Sequence, residues 1–137
     1  MIQGVINRMA SNSFLLKGWS VIIVSALFAL AAKDANATFV YLALFPAISF
    51  WSLDGYFLRQ EREYRALYND VREIEESQID FSLNASIYAK EVPSWFSTCF
   101  SVTLRLFHGA LIIVIFLIIT LFHSVDLSKL QICLKGV

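Results

Sequence analysis

The chain has 137 residues, of which 58% are hydrophobic and 16% are charged, and its basic and acidic residues balance to zero net charge. Water-soluble domains of ordinary composition carry more charge, so a mean hydropathy of +0.64 excludes that class. The apolar residues come in long runs, which predicts membrane-spanning helices instead of one globular core.

The N-terminal segment, residues 1–17, begins with apolar residues on one helical face. Ile2, Val5, Ile6 and Met9 are spaced i, i+3, i+4 and i+7. This pattern predicts an amphipathic helix. Such a helix either lies on the membrane surface or forms the first turns of a longer helix packed on the protein.

Residues 18–53 are predicted to form a transmembrane helical hairpin. The uncharged runs 18–32 and 35–53 are joined by a connection too short for any arrangement but antiparallel helices. The first run is short for a bilayer, and Lys17 and Lys33 can extend it by snorkelling. A cleaved signal peptide is the rival interpretation, because residues 35–37 resemble a cleavage site.

Pro46 lies inside the second apolar run. Proline has no backbone N–H, so it leaves the carbonyl of Leu42 without its helical partner and predicts a kink. The kink is either static or a hinge for gating.

Residues 54–92 are predicted to be a cytoplasmic helix followed by a loop. In the stretch 54–91, 14 of 38 residues are charged, and the helix continues the second span out of the membrane. A narrow apolar stripe at heptad spacing favours self-association or packing on a neighbour. The predicted oligomerisation residues are Phe57, Tyr64, Leu67, Val71 and Ile74.

A row of arginines at a spacing of three runs along this helix, with tyrosines between them. Guanidinium groups match phosphate oxygens, and tyrosine rings can stack on bases, which indicates a nucleotide or oligonucleotide ligand. The alternative is that these arginines only set the topology and pair with neighbouring glutamates. The predicted ligand-binding residues are Arg59, Arg62, Tyr64, Arg65, Tyr68 and Arg72.

Residues 93–125 are predicted to form the third transmembrane helix, with an interfacial start at Trp95 and Phe96. The run 106–125 is uncharged and long enough to cross the bilayer. Residues 126–137 are predicted to be a short tail on the far side.

The chemistry-bearing residues are sparse. His108 and His123 are 15 residues apart on one helix, so they cannot share a metal, and the sequence has no nucleophile, phosphate-loop or metal-binding motif. Intramembrane histidines are functional candidates, but positions near the membrane ends favour plain interfacial contacts. We predict that the chain is not an enzyme and holds no metal and no cofactor.

The basic residues are distributed unequally. Eight lie on the side of the N-terminus and the middle segment, and three lie on the other side. The positive-inside rule therefore places the N-terminus in the cytoplasm and the C-terminus in the periplasm. The predicted fold class is an all-α membrane protein with three transmembrane helices and a cytoplasmic helical extension of the second span.

Two stretches carry a resemblance to a known family. MIQGVINRMASNSFLLKGWSVIIVSALFALAAKDAN (1–36) and FWSLDGYFLRQEREYRALYNDVR (50–72) resemble small bacterial antiphage-defence membrane proteins, the transmembrane effectors of the Hailong system. The resemblance spans residues 1–84 and includes no site motif. It implies an oligomeric inner-membrane channel held closed by an oligodeoxyadenylate that a partner nucleotidyltransferase makes. Loss of that ligand during infection would open the channel and depolarise the cell.

Together these observations predict a homo-oligomeric, ligand-controlled pore whose partners are the lipid bilayer and an oligonucleotide. The alternative is a non-conducting membrane anchor or assembly subunit that recruits a soluble partner through residues 54–91.

The charge asymmetry predicts the position of each end of the chain. A reporter that is active only in the periplasm should be active when fused after Val137 and inactive when fused after Arg72. A cytoplasmic reporter should give the opposite pattern at both positions. Cytoplasmic activity at Val137 would contradict the three-span topology.

Overall fold

The computed structural model describes residues 1–75 and 82–135, and this part of the chain is helical and without strands. Residues 76–81 and 136–137, which belong to the predicted middle segment and tail, lie outside the described residues. The elements in chain order are α1 (Ile2–Asp34), α2 (Thr38–Leu42), α3 (Leu44–Glu73), the 3-10 helix η1 (Ala85–Lys90), α4 (Trp95–Cys99) and α5 (Val102–Lys135).

Within the described residues, three helical stretches are long and apolar enough to cross a membrane. They are Ile2–Asp34, Thr38–Glu73 and Val102–Val125. The second combines α2 and α3. The prediction of an all-α fold with three apolar helices is therefore confirmed. Many large apolar side chains face outward, as lipid-facing positions require.

The N-terminal segment is continuous with the first apolar run. α1 has 33 residues and spans about 50 Å, so residues 1–17 are the first turns of one long helix. Ile6 is only 2% exposed, which shows that these turns pack on the protein. α1 therefore combines a span with an extension beyond it.

A tight turn joins α1 to α2. Ala35 adopts the left-handed conformation with φ 49°, and the Asn36 amide donates to the Ala31 carbonyl at 3.1 Å. The Asn36 side chain then accepts a hydrogen bond from the Thr38 amide at 2.9 Å. Together these bonds terminate one helix and start the next, and they create the predicted hairpin.

The second apolar run is interrupted at Ala43, which separates α2 from α3. Pro46 lies in the first turn of α3, where the missing N–H has the least cost. The predicted kink thus takes the form of a one-residue break. Val40, Ala43 and Ala47 around it are all buried, so the break packs into the centre of the helices.

The membrane-level core is made of small and branched apolar residues from all three spans. Alanines at the contact let the helix backbones approach closely, as is usual for helix pairs in membranes. The buried members are Val24, Ala31, Val40, Ala43, Ala47 and Ile115.

The helix that contains the third span continues beyond the end of that span. α5 continues from Val102 through Lys135, so the predicted tail at 126–137 is helical as far as Lys135. No glycine or proline occurs between positions 126 and 135 to end the helix, and Gly136 is the first such residue. The helix therefore runs through residue 125, the predicted end of the third span, without a break.

Gly55 of α3 lies directly against Cys99 of α4. A Cβ atom at Gly55 would clash with the Sγ atom of Cys99, which is buried as a free thiol. Glycine is thus required at this position because the Cys99 side chain occupies the space that any larger residue would need.

Substitution of Gly55 by alanine should reveal this contact. Gly55→Ala is expected to destabilise the protein by about 1–3 kcal/mol through overpacking. Adding Cys99→Ala should restore most of the loss, because the sulfur atom is the one that clashes. Thermal unfolding in detergent measures the stability of the single variant and of the double variant. Equal losses in the single and double variants would show that the α3–α4 contact is not the cause.

Candidate functional site

The candidate site is a polar cluster at the end of the spans where α3 leaves its apolar run. Asp54 is the first charged residue after that run, and its side chain is fully buried. Lys17 occupies the corresponding position on α1, just before the apolar run of that helix. Because α1 and α3 are antiparallel, these two positions meet.

Asp54 accepts hydrogen bonds on both carboxylate oxygens. The Ser13 hydroxyl donates to Oδ1, and the Lys17 ammonium donates to Oδ2 at 2.5 Å. Lys17 also donates to the Ser13 hydroxyl oxygen at 2.9 Å. Ser13 and Lys17 are one helical turn apart, so α1 presents both groups to the same carboxylate.

The third span joins the cluster through His108, which is 1% exposed. Its Nε2 atom lies 2.9 Å from Asp54 Oδ2. A carboxylate only accepts, so Nε2 carries the proton of this hydrogen bond. The Trp51 ring stacks on the imidazole with a centroid distance of 5.9 Å and an interplanar angle of 8°, which fixes the orientation of the ring.

Two buried polar atoms near this level have no hydrogen-bond partner among the described residues. They are Nδ1 of His108 and the hydroxyl oxygen of Ser20, which lies on the same face of α1 as Lys17, one turn further into the span. Unpaired buried polar atoms are costly, and in native proteins they cluster where function or bound water requires them.

The interfacial interpretation of His108 is therefore wrong, because the ring is enclosed between the spans. His123 by contrast is exposed. Lys17 does not snorkel freely either, since its side chain is 19% exposed and is paired with Asp54.

The predicted arginine row divides into two parts. Arg59 pairs with Glu63 at 3.1 Å and donates to the Ala89 carbonyl at 3.2 Å. Arg62 donates to the buried Thr98 hydroxyl at 3.5 Å. These two arginines hold η1 and α4 against α3, so their guanidinium groups already have acceptors within the chain.

The outer part of the row faces solvent. Arg65, Tyr68 and Arg72 are exposed, and their spacing of three and four places them on one face of α3. Arg65 pairs with Glu61 at 2.7 Å, and Tyr64 is half-buried beside this face. Of the predicted ligand-binding residues, the exposed three form the surface that a ligand can reach.

The predicted oligomerisation stripe is largely covered by the chain itself. Leu67 is 4% exposed, and Phe57, Tyr64 and Val71 are half-buried. Ile74 is exposed, but it lies past the end of α3 in extended conformation. The stripe thus contributes to intramolecular packing, and only its end is open to another chain.

η1 is fastened to α3 by a second polar contact. The Tyr88 hydroxyl donates to Asp70 Oδ2 at 2.5 Å, and this hydrogen bond is the main reason why the pKa of Tyr88 is raised to about 12. With the Arg59–Ala89 bond, it holds η1 along the helical extension.

The described residues contain no group of three or more histidine, cysteine or acidic side chains that could hold a metal ion. No family model, curated protein or solved structure matches the chain.

The Asp54 cluster was missed by sequence reasoning, although a signal for it was present. Each apolar run has a polar residue near one end, namely Lys17, Asp54 or His108. Because successive spans run in opposite directions, these three ends lie on the same side of the membrane. Combining topology with the position of each boundary residue would have indicated the contact.

The cluster predicts a specific stability pattern. Asp54→Leu removes the counter-charge of Lys17 and is expected to cost about 3–5 kcal/mol, because breaking a buried ion pair leaves one charge uncompensated. Asp54→Leu combined with Lys17→Met should recover much of that loss, since neither charge then remains. Chemical unfolding in detergent measures the difference. If the double variant is as unstable as the single variant, the ion pair is not what holds the spans.

Proposed function

We propose that the chain is the subunit of a homo-oligomeric membrane pore, controlled through the helical extension by an oligonucleotide. This is the activity implied by its resemblance to the antiphage effectors of the Hailong system. The observation that supports the proposal best is the buried Asp54 cluster, which connects all three spans at the point where the extension begins.

A static anchor has no need of such a cluster. Burying a carboxylate, an ammonium and an imidazole between apolar helices costs free energy that simple hydrophobic packing would avoid. Ionisable residues inside membrane segments generally mark functional sites. The cluster therefore favours a protein whose spans respond to a signal from the extension.

Conduction requires several copies of the chain. Three packed helices whose centre is filled by the apolar core leave no water-filled path in the described part of one chain. The outward face of α5 carries Thr120 and Ser124, whose hydroxyl groups bond to carbonyls of their own helix. Both residues are exposed, so we infer that α5 lines the pore between subunits.

The proposed ligand surface is the exposed face formed by Arg65, Tyr68 and Arg72. An oligonucleotide phosphate can replace Glu61 as the partner of Arg65, and a base can stack on Tyr68. Arg65 lies 11 residues, about 16 Å, from Asp54 on the same helix. A ligand that binds one arrangement of α3 more tightly than another would shift the spans through that connection.

The alternative is a non-conducting anchor that recruits a soluble partner through residues 54–91. One observation favours it. Arg59 and Arg62 bind groups of their own chain instead of facing solvent, which gives half of the basic row a purely structural role.

Liposome flux distinguishes these functions. The purified protein, reconstituted into liposomes with a potassium gradient, is expected to dissipate the gradient, and a short oligodeoxyadenylate is expected to suppress that flux. Arg65→Gln should weaken the response and reduce the log–log salt dependence of oligonucleotide binding by roughly 0.7, the contribution of one phosphate contact to a single strand.

Lys90→Gln is the matched control, because Lys90 is an exposed cation on η1 outside the proposed surface. It should leave the suppression and the salt dependence unchanged. Absence of flux with and without the oligonucleotide would favour the anchor. Flux that the oligonucleotide suppresses equally in the parent and in Arg65→Gln would retain the pore but place the ligand elsewhere.

A further inference from the structure

An apolar cleft lies between α3, α4 and α5, on the side away from α1. It has a volume of about 320 Å³. Its walls are mainly aromatic and branched side chains, namely Ile48, Trp51, Trp95, Phe96, Phe100 and Ile112. The cleft is open on one side, so its surface faces whatever surrounds the spans.

The walls of the cleft are held in place by hydrogen bonds. The indole N–H of Trp51 donates to the Cys99 carbonyl at 2.8 Å, and that of Trp95 donates to the Ser52 carbonyl at 3.2 Å. Trp51 also meets Phe100 edge-to-face with a centroid distance of 5.6 Å. These contacts fix the rings, so an occupant meets a preformed apolar surface.

A cation lies on the same face of α5 as one wall. Arg105 precedes Ile112 by seven residues, or two turns, so both lie on one face of α5. Arg105 is exposed and makes no ion pair with an acidic side chain of the described residues.

The polar and apolar parts are ordered along the membrane normal. His108 contacts Asp54 at the end of the apolar runs, and Arg105 lies one turn earlier on α5, just before the uncharged run 106–125, so we place Arg105 at the level of the lipid headgroups. Side chains on a helix point toward its N-terminus, which directs the guanidinium outward to that level. Ile112 and Ile48 lie deeper, at the level of the acyl chains.

We propose that this cleft binds an anionic glycerophospholipid. One acyl chain lies along the aromatic walls, and the phosphate accepts hydrogen bonds from Arg105. The cation lies at the headgroup level and the apolar walls lie deeper, so the site fits an amphiphile with a negatively charged headgroup and an apolar tail. A second copy of the chain fits less well. Asp54 of a second copy is fully buried and already paired, so it is not available to Arg105.

Fluorescence quenching by brominated lipids tests the site directly. Trp51 and Trp95 line the cleft, and a Trp19→Phe background removes the exposed tryptophan of α1. The host vesicles consist of phosphatidylcholine, and the quencher is either phosphatidylglycerol or phosphatidylcholine with brominated acyl chains. Brominated phosphatidylglycerol should quench the fluorescence of these two residues with an apparent affinity about fivefold higher than that of brominated phosphatidylcholine. This ratio corresponds to one arginine at an anionic surface.

Arg105→Gln is expected to abolish the preference while both lipids still quench. Lys33→Gln, which removes one exposed cation at the opposite end of α1, should retain it. Ile112→Phe narrows the cleft and should reduce quenching by both lipids, with circular dichroism reporting whether each variant remains folded.

Three results would overturn the proposal. The first is equal quenching by both lipids in the background protein. The second is a preference that survives Arg105→Gln. The third is protection of both tryptophans from either lipid, which would show that another copy of the chain covers the cleft.

Discussion

The fold depends on one buried carboxylate. Asp54 receives hydrogen bonds from two residues of α1 and from His108 of α5, so a single side chain joins all three spans. In a low-dielectric surrounding, each of these bonds is stronger than in water, but each becomes costly if its partner is removed. The three helices are thereby held at a common level, and the sliding of one span past another is opposed at this point.

The contacts beyond the spans explain why the extension is ordered. Arg59 and Arg62 use their guanidinium groups to hold the returning chain, while Tyr88 fastens η1 to Asp70. Positive charges near a membrane end satisfy the topology rule wherever they point, so charge alone does not distinguish these arginines from exposed ones. Burial does distinguish them, and it leaves Arg65 and Arg72 as the accessible part of the row.

Hydrophobic runs of sufficient length predicted the helices correctly, because in a bilayer the backbone must satisfy its own hydrogen bonds. The cluster around Asp54 was not predicted, because its members are far apart in sequence and each has an ordinary local explanation. Lys17 could snorkel, and His108 could be interfacial. Pro46 predicted a kink but not the position of the break at Ala43. Heptad spacing did not reveal that Leu67 is covered by its own chain.

The length of α1 gives the Asp54 contact a mechanical meaning. Lys17 is close to the midpoint of a 33-residue helix that has no break, so α1 is a stiff rod attached near its centre. Each arm is about 23 Å long. A rod pivoting at its centre moves its two ends equally and in opposite directions. A tilt of α1 about this contact would therefore move the Ile6 end and the Ala35 turn in opposite directions, and it would have to repack the buried side chains of Ile6 and Ala31 on the two arms.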